Sequence, residues 1–300
     1  DHLKDYRRFL AGKGNTAGHV EATEQIIKKM LKECRSKSIA DLSGSKVQEW
    51  LSESRKSGFS PRTCNGYLTA VKGFARWLVR EGRTPHSPLA HLSLMNQRTD
   101  VRRERRTIPL KDFEKLIGAA NQGEAIQGVC GLDRAVLYLL AAHTGFRAGE
   151  LASLTPESFN LESKPPTVTV KAGYSKHRRS DVQPLRPDFA AWFSSWLVVR
   201  SKKEGLWPRG PLYHTARMIK HDLASAGIPY RDEAGKVFDF HALRHWFIST
   251  LAQSGCHPKA LQTLARHSTI TMTLDRYAHL SLQEAGGALS GLPELPATLA

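Results

Sequence analysis

Six side chains of this 300-residue chain are of the types that an attack on a phosphodiester needs: Arg147, Lys176, His241, Arg244, His267 and Tyr277. A phosphodiester carries its negative charge on two non-bridging oxygens, and attack adds charge to a centre that is already anionic. Guanidiniums answer that demand, because each stays charged and donates two parallel hydrogen bonds. Arg147 and Arg244 are the candidates. The Tyr277 phenol would be the nucleophile; with an ordinary pKa of about 10 it needs help at neutral pH, which the arginines and imidazoles supply. His241 and Arg244 are three residues apart, so on a helix they share a face, the His exchanging protons near neutrality while the Arg holds the phosphate. His241 and His245 have the spacing of two metal ligands. No Glu follows His241 as in the HExxH pattern, and no companion carboxylate stands at useful spacing, so neither a metal nor a cofactor is expected and His245 is read as structural.

The flanks of these residues are specific. Arg147 lies in HTGFRAGEL, just after a glycine turn at a helix start; His241 and Arg244 lie in HALRHWF, His267 in LARHS and Tyr277 in TLDRYAHL. In those contexts the chain resembles the catalytic domain of the tyrosine recombinases, the phage-integrase family. The resemblance covers residues 105–285 closely, and residues 1–95 only as a small helical domain that clamps DNA. It implies that Glu150 orients or buffers Arg147, and that a lysine on a hairpin turn, a fixed distance before a Pro-Leu pair, protonates the leaving 5′ oxygen. Lys176, eight residues before Pro184, fits that spacing better than Lys171, with His177, Arg178 and Arg179 as expected contacts to the DNA backbone. His267 would hydrogen-bond the phosphate. Ala265 and Arg266 replace the family's usual Leu-Gly or Met-Gly pair, which is expected to alter the turn before His267 more than its imidazole. Tyr277, ten residues after His267, leaves room for one extra loop residue. It would form a 3′-phosphotyrosyl link and free a 5′ hydroxyl, without ATP or a divalent metal, either in its own active site or in a neighbour's.

The resemblance also implies double-stranded recombination sites as partner and a homo-oligomer on DNA, usually a tetramer. Two other functions compete with recombination: strand relaxation of the type IB topoisomerase kind, and a catalytically silent DNA-binding protein on the same scaffold. The two-domain arrangement and the HALRH and LARHS contexts favour a recombinase, and the filling of all six positions argues against silence.

Positioning these residues falls to elements that the chain spells out. A formal net charge of +16, from 44 Lys and Arg against 28 Asp and Glu, calls for a polyanionic partner. No apolar run of about 18 residues, no lipidation motif and no basic helix with an apolar face points to a membrane. The charged opening DHLKDYRRFL is unlike a secretory leader, so a cytoplasmic, nucleoid-associated protein is expected, and a start within a helix leaves room for an N-terminal arm. Cys34, Cys64, Cys130 and Cys256 are too scattered for a zinc site or a disulfide framework and read as reduced, mostly buried thiols.

The fold class expected is two-domain. Residues 1–95 read as four helices, with the resemblance implying a SAM-like core-binding domain. Residues 108–285 read as mainly helical with a β-hairpin, the α+β integrase catalytic domain, followed by a tail over 286–300. Between them, 96–107 is a basic linker whose Arg102, Arg103, Arg105 and Arg106 are candidate phosphate contacts. Strands are predicted at Thr167–Val170 and Asp181–Leu185, and helices at Leu132–His143, Asp188–Arg200, Thr215–Ala226, His241–Ser254, Pro258–His267 and Thr271–His279.

Overall fold

Four amphipathic segments of the N-terminal region fold as helices: α1 (His2–Gly12), α2 (Ala17–Glu33), α3 (Gly44–Lys56) and α4 (Pro61–Arg80). The start of α4 is written locally. The Ser60 hydroxyl accepts from the Thr63 N–H at 3.1 Å, and Pro61 fills the first helical position, where a missing N–H costs nothing. Leu68, Val71, Ala75 and Leu78 of α4 recur at helical spacing and are buried, as are Ile27 and Met30 of α2, the helix that α4 packs against. Each of the leucine, valine, isoleucine and methionine side chains contributes about 1.5–3 kcal/mol by leaving water.

This computed structural model describes residues 1–174, 179–201, 204–208 and 215–274. The chain divides into two compact units, one of Asp1–Arg102 and a second from Arg103 onward. No helix among the described residues is long and apolar enough to cross a membrane.

The second unit is built on α6 (Gly131–Thr144), whose Val136, Leu137, Leu140, Ala141 and Ala142 are all buried. A helix apolar on every side must be covered on every side. Helices α5 (Leu110–Gln122) and α10 (Ala242–Gln253) pack on it, and α9 (Thr215–Ser225) packs on α5. The remaining helices are α7 (Ala148–Leu151), α8 (Pro187–Leu197), α11 (Pro258–Ala265) and α12 (Thr271–Leu274). An antiparallel sheet in the order β1 (Phe159–Asn160), β2 (Thr167–Val170), β3 (Asp181–Pro184) completes it, with Val168 and Val170 facing the core. The alternation in TVTV marks β2, whereas β1 is two residues long and has no alternation to read.

The observed boundaries differ from the predicted ones for local reasons. Arg186 caps α8, which begins at Pro187 and ends at Leu197 instead of Arg200. Helix α11 stops at Ala265 instead of His267, because Arg266 turns left-handed at φ +50°. His241 caps α10 and lies just outside it. Of the cysteines expected to be mostly buried, Cys34 and Cys64 are, Cys256 is half-buried and Cys130 is exposed.

Candidate active site

The first box is organised by a chain reversal. Gly145 ends α6 in the left-handed region at φ +63°, and an added Cβ there would stand 2.5 Å from Phe247 Cδ1, so both backbone and space exclude a side chain. Two residues on, Arg147 caps α7, and Glu150 at the third helical position accepts from the Arg147 backbone N–H at 2.8 Å, the acid half of a capping box. The same carboxylate accepts from Arg147 Nη1 at 2.9 Å. Glu150 is 3% exposed, so it is a buried counter-ion and not a helix-surface carboxylate.

Arg244, one turn into α10, is also buried. Its Nη1 donates to the Gly145 carbonyl at 2.6 Å and its Nη2 to the carbonyl of Ala265, tying α10 to the turn before Arg147 and to the end of α11. Burial, and then the charges of Arg147 and Arg266, lower Arg244 to about 9, with Glu150 opposing them. It stays cationic at neutral pH.

His241 is pulled down to about 4, by burial first and then by the charges of Arg105 and Arg244, so its imidazole is neutral near pH 7 and can accept a proton. This departs from the expectation of a histidine exchanging protons near neutrality, because the imidazole is buried beside two guanidiniums. Beside it, Asp239 accepts from Arg105 Nε at 2.8 Å and from the Ala242 N–H at 3.0 Å. Burial raises that carboxyl, but Arg105 and Arg103 outweigh it and hold it below its ordinary range.

His267 follows Arg266, and its Nδ1 lies 2.9 Å from the hydroxyl of the buried Thr273 in α12, which fixes the ring. Arg266 is a residue that sequence reasoning passed over as a turn substitution. The residue is 7% exposed, and its guanidinium stacks on Phe146 at 4.1 Å from the ring centroid and donates to Glu150 Oε2 at 2.9 Å. Asp239 was missed as well, because a lone aspartate before HALRH carries no spacing signal. An arginine where the family has glycine was the visible sign for Arg266.

Arg147, Glu150, Arg244 and Arg266 therefore form one cluster, with His241 within electrostatic reach of both Arg147 and Arg244. Three guanidiniums lie around Glu150, and Arg266 is also within electrostatic reach of Asp181, so among the described residues cations outnumber carboxylates at this cluster. Among the described residues no three His, Cys, Asp or Glu side chains come together as a metal site. Lys176, His177, Arg178 and Tyr277 lie outside the described residues. Lys171 and Arg179 are exposed on either side of the β2–β3 turn, and Arg179 pairs with Asp181 at 3.4 Å.

The candidate phosphate contacts of the basic stretch all have partners within their own units. Arg102 pairs with Asp100 at 2.8 Å, Arg103 with Asp239 at 3.0 Å, Arg105 with Asp239, and Arg106 with the Pro229 carbonyl. The backbone of 104–106 pairs with Val237, so the end of the expected linker is fastened to the second unit.

Comparison with known proteins agrees with these contexts. The phage integrase family matches residues 106–284, and the N-terminal SAM-like domain of phage integrases matches residues 3–82. The chain is 27% identical over 292 residues to the tyrosine recombinase XerC of Stutzerimonas stutzeri, covering 94% of this chain and 92% of that one. It is 29% identical over 244 residues to XerC of Azotobacter vinelandii, covering 81% and 77% respectively. Its fold is similar to that of a lambda integrase dimer bound to a core site, with TM-score 0.72 and 16% identity over 99% of this chain and 98% of that one. It is also similar to the Tn1549 transposon integrase in complex with a circular intermediate DNA, with TM-score 0.69 and 18% identity over 97% and 99%. With both of its regions matched in order and the first box folded around a buried Glu150, the chain belongs to the phage integrase family, the tyrosine recombinases.

Proposed function

We propose that this protein is a site-specific recombinase that cleaves and rejoins double-stranded DNA through a 3′-phosphotyrosine intermediate. The observation that carries the reading is the cationic cluster around Glu150: among the described residues Arg147, Arg244 and Arg266 outnumber the carboxylates that reach them, Glu150 and Asp181. A non-bridging phosphate pair is the complement of such a site.

In this reading Tyr277 Oη attacks the scissile phosphorus, a P–O bond to tyrosine forms, and the bond to O5′ breaks. The phenol proton passes to His241, whose basicity the bound phosphate raises by offsetting the charges of Arg105 and Arg244, and Lys176 delivers a proton to the leaving O5′. Arg147, Arg244 and His267 hold the non-bridging oxygens. The phosphodiester energy is kept in the phosphotyrosine, so a second 5′ hydroxyl reverses the step without ATP or a divalent cation. Residues 1–95 act as the clamp, 96–107 as the linker and 108–285 as the catalytic domain, with tetramers assembling on paired sites in the compartment that holds the DNA. The XerC names of the relatives and the DNA in the integrase complexes support the same partner.

The test is incubation with a nicked suicide duplex in EDTA. Wild type is expected to give a denaturation-resistant adduct that Tyr277→Phe lacks, and to join two different duplexes. Relaxation of supercoils without joining would favour the topoisomerase-like activity; tight binding with no adduct would favour a silent DNA-binding protein.

A further inference from the structure

Arg266 occupies a position that is costly twice over. Its backbone is left-handed at φ +50°, a conformation that glycine adopts freely and branched or long side chains do not, and its guanidinium is buried in the protein interior. Something at the side-chain end must offset both. The stack on Phe146 and the 2.9 Å hydrogen bond to Glu150 Oε2 are two of the contacts that do so.

The bond to Glu150 has a consequence for Arg147. The carboxylate has two oxygens: Oε1 takes Arg147 Nη1, while Oε2 takes the Arg147 backbone N–H and Arg266 Nη2. If Arg266 were absent, Oε2 would be open to a second guanidinium N–H of Arg147, closing the two-pronged pair that arginine and carboxylate prefer. Arg147 would then be turned toward Glu150 and away from an incoming phosphate. We propose that Arg266 is a positioning residue of the cleavage site, engaging Glu150 Oε2 so that Arg147 keeps donors free for the scissile phosphate. This rests on the function proposed above.

The decisive experiment is a double-mutant cycle on strand cleavage with saturating suicide duplex, using Arg266→Gly, Glu150→Gln and their combination. Arg266→Gly relieves the backbone, so the variant is expected to fold. In the Glu150 background it should slow adduct formation by about tenfold, with DNA affinity changed less than about twofold; in the Glu150→Gln background it should cost little, because no carboxylate remains to capture Arg147. Arg266→Lys should restore part of the rate. Independent, multiplying effects of the two substitutions, or a wild-type rate for Arg266→Gly, would overturn the assignment.

If wild type forms no adduct, the recombinase reading fails while the Arg266 assignment is still read by inorganic phosphate and the Nε–Hε signal of Arg147. A phosphate-induced shift that weakens at least about threefold in Arg266→Gly supports it. An unchanged titration refutes it.

Discussion

Two buried arginine clusters in the second unit show how differently the same chemistry can be used. At Arg134, five N–H groups meet five acceptors: both oxygens of Asp222 and the carbonyls of Ala120, Glu124 and Val129, at 2.6–3.4 Å. Tyr138 adds a 2.7 Å hydrogen bond to Asp222, and arginine and aspartate are both 0% exposed. One cation faces one anion, and the pair staples α6 to α9. Around Glu150 the balance is broken. Arg147, Arg244 and Arg266 lie around Glu150 with Asp181 reaching Arg266, Arg147 is 26% exposed at its side chain, and mutual repulsion contributes to the lowering of Arg244. A closed ion pair needs nothing more, whereas a cluster with excess cations is suited to an anion.

The largest effect expected from breaking this comparison is at the balanced pair. Arg134→Met leaves Asp222 as an uncompensated buried charge and should cost about 3–5 kcal/mol in urea unfolding, whereas Arg134→Met combined with Asp222→Leu should recover only part of it, because the three carbonyls and Tyr138 lose their partners. Arg147→Gln should do the reverse. Cleavage should fall by about 10²–10³-fold, a loss of about 3–4 kcal/mol of transition-state stabilisation, while the melting temperature holds, because Arg266 still neutralises Glu150.

Gly145→Ala sharpens the contrast between fold and charge. The added Cβ meets the Phe247 ring in a left-handed turn, so stability should drop by about 1–3 kcal/mol, with cleavage impaired in proportion as the Arg244 anchor at the Gly145 carbonyl shifts.

Acid stability should respond as well. His241 is held at about 4 when folded, against an ordinary value of about 6.5. Within that window the unfolded chain binds the proton and the folded chain resists it, so stability should fall as pH drops from about 6.5 toward 4. His241→Gln should flatten that slope in pH-dependent thermal melts.

Much of this was legible in the sequence because it is local. Ser60 followed by Pro61 announces α4, alternation in TVTV announces β2, and HTGFRAGEL announces a glycine turn with an arginine cap and an acid at the third helical position. What escaped is long-range. Arg134 reads as one polar residue in an apolar helix, and its partner lies 88 residues away. Glu150 has an evident neighbour in Arg147, but Arg266, which shares it, is 116 residues distant. Asp239 and Arg105 meet across 134 residues, so a basic run that reads as free charge is already committed on one side to the helix cap beside His241.

In the proposed function the cations around Glu150 meet the charge of the scissile phosphate. The direct measurement is the cleavage rate of wild type and Arg147→Gln on two suicide duplexes, one natural and one with an uncharged methylphosphonate at the scissile position. If the charge is what the cluster serves, the Arg147→Gln deficit of about 10²-fold or more on the phosphodiester should shrink to less than about tenfold on the methylphosphonate. An equal deficit on both would contradict the claim and assign Arg147 a role in architecture alone.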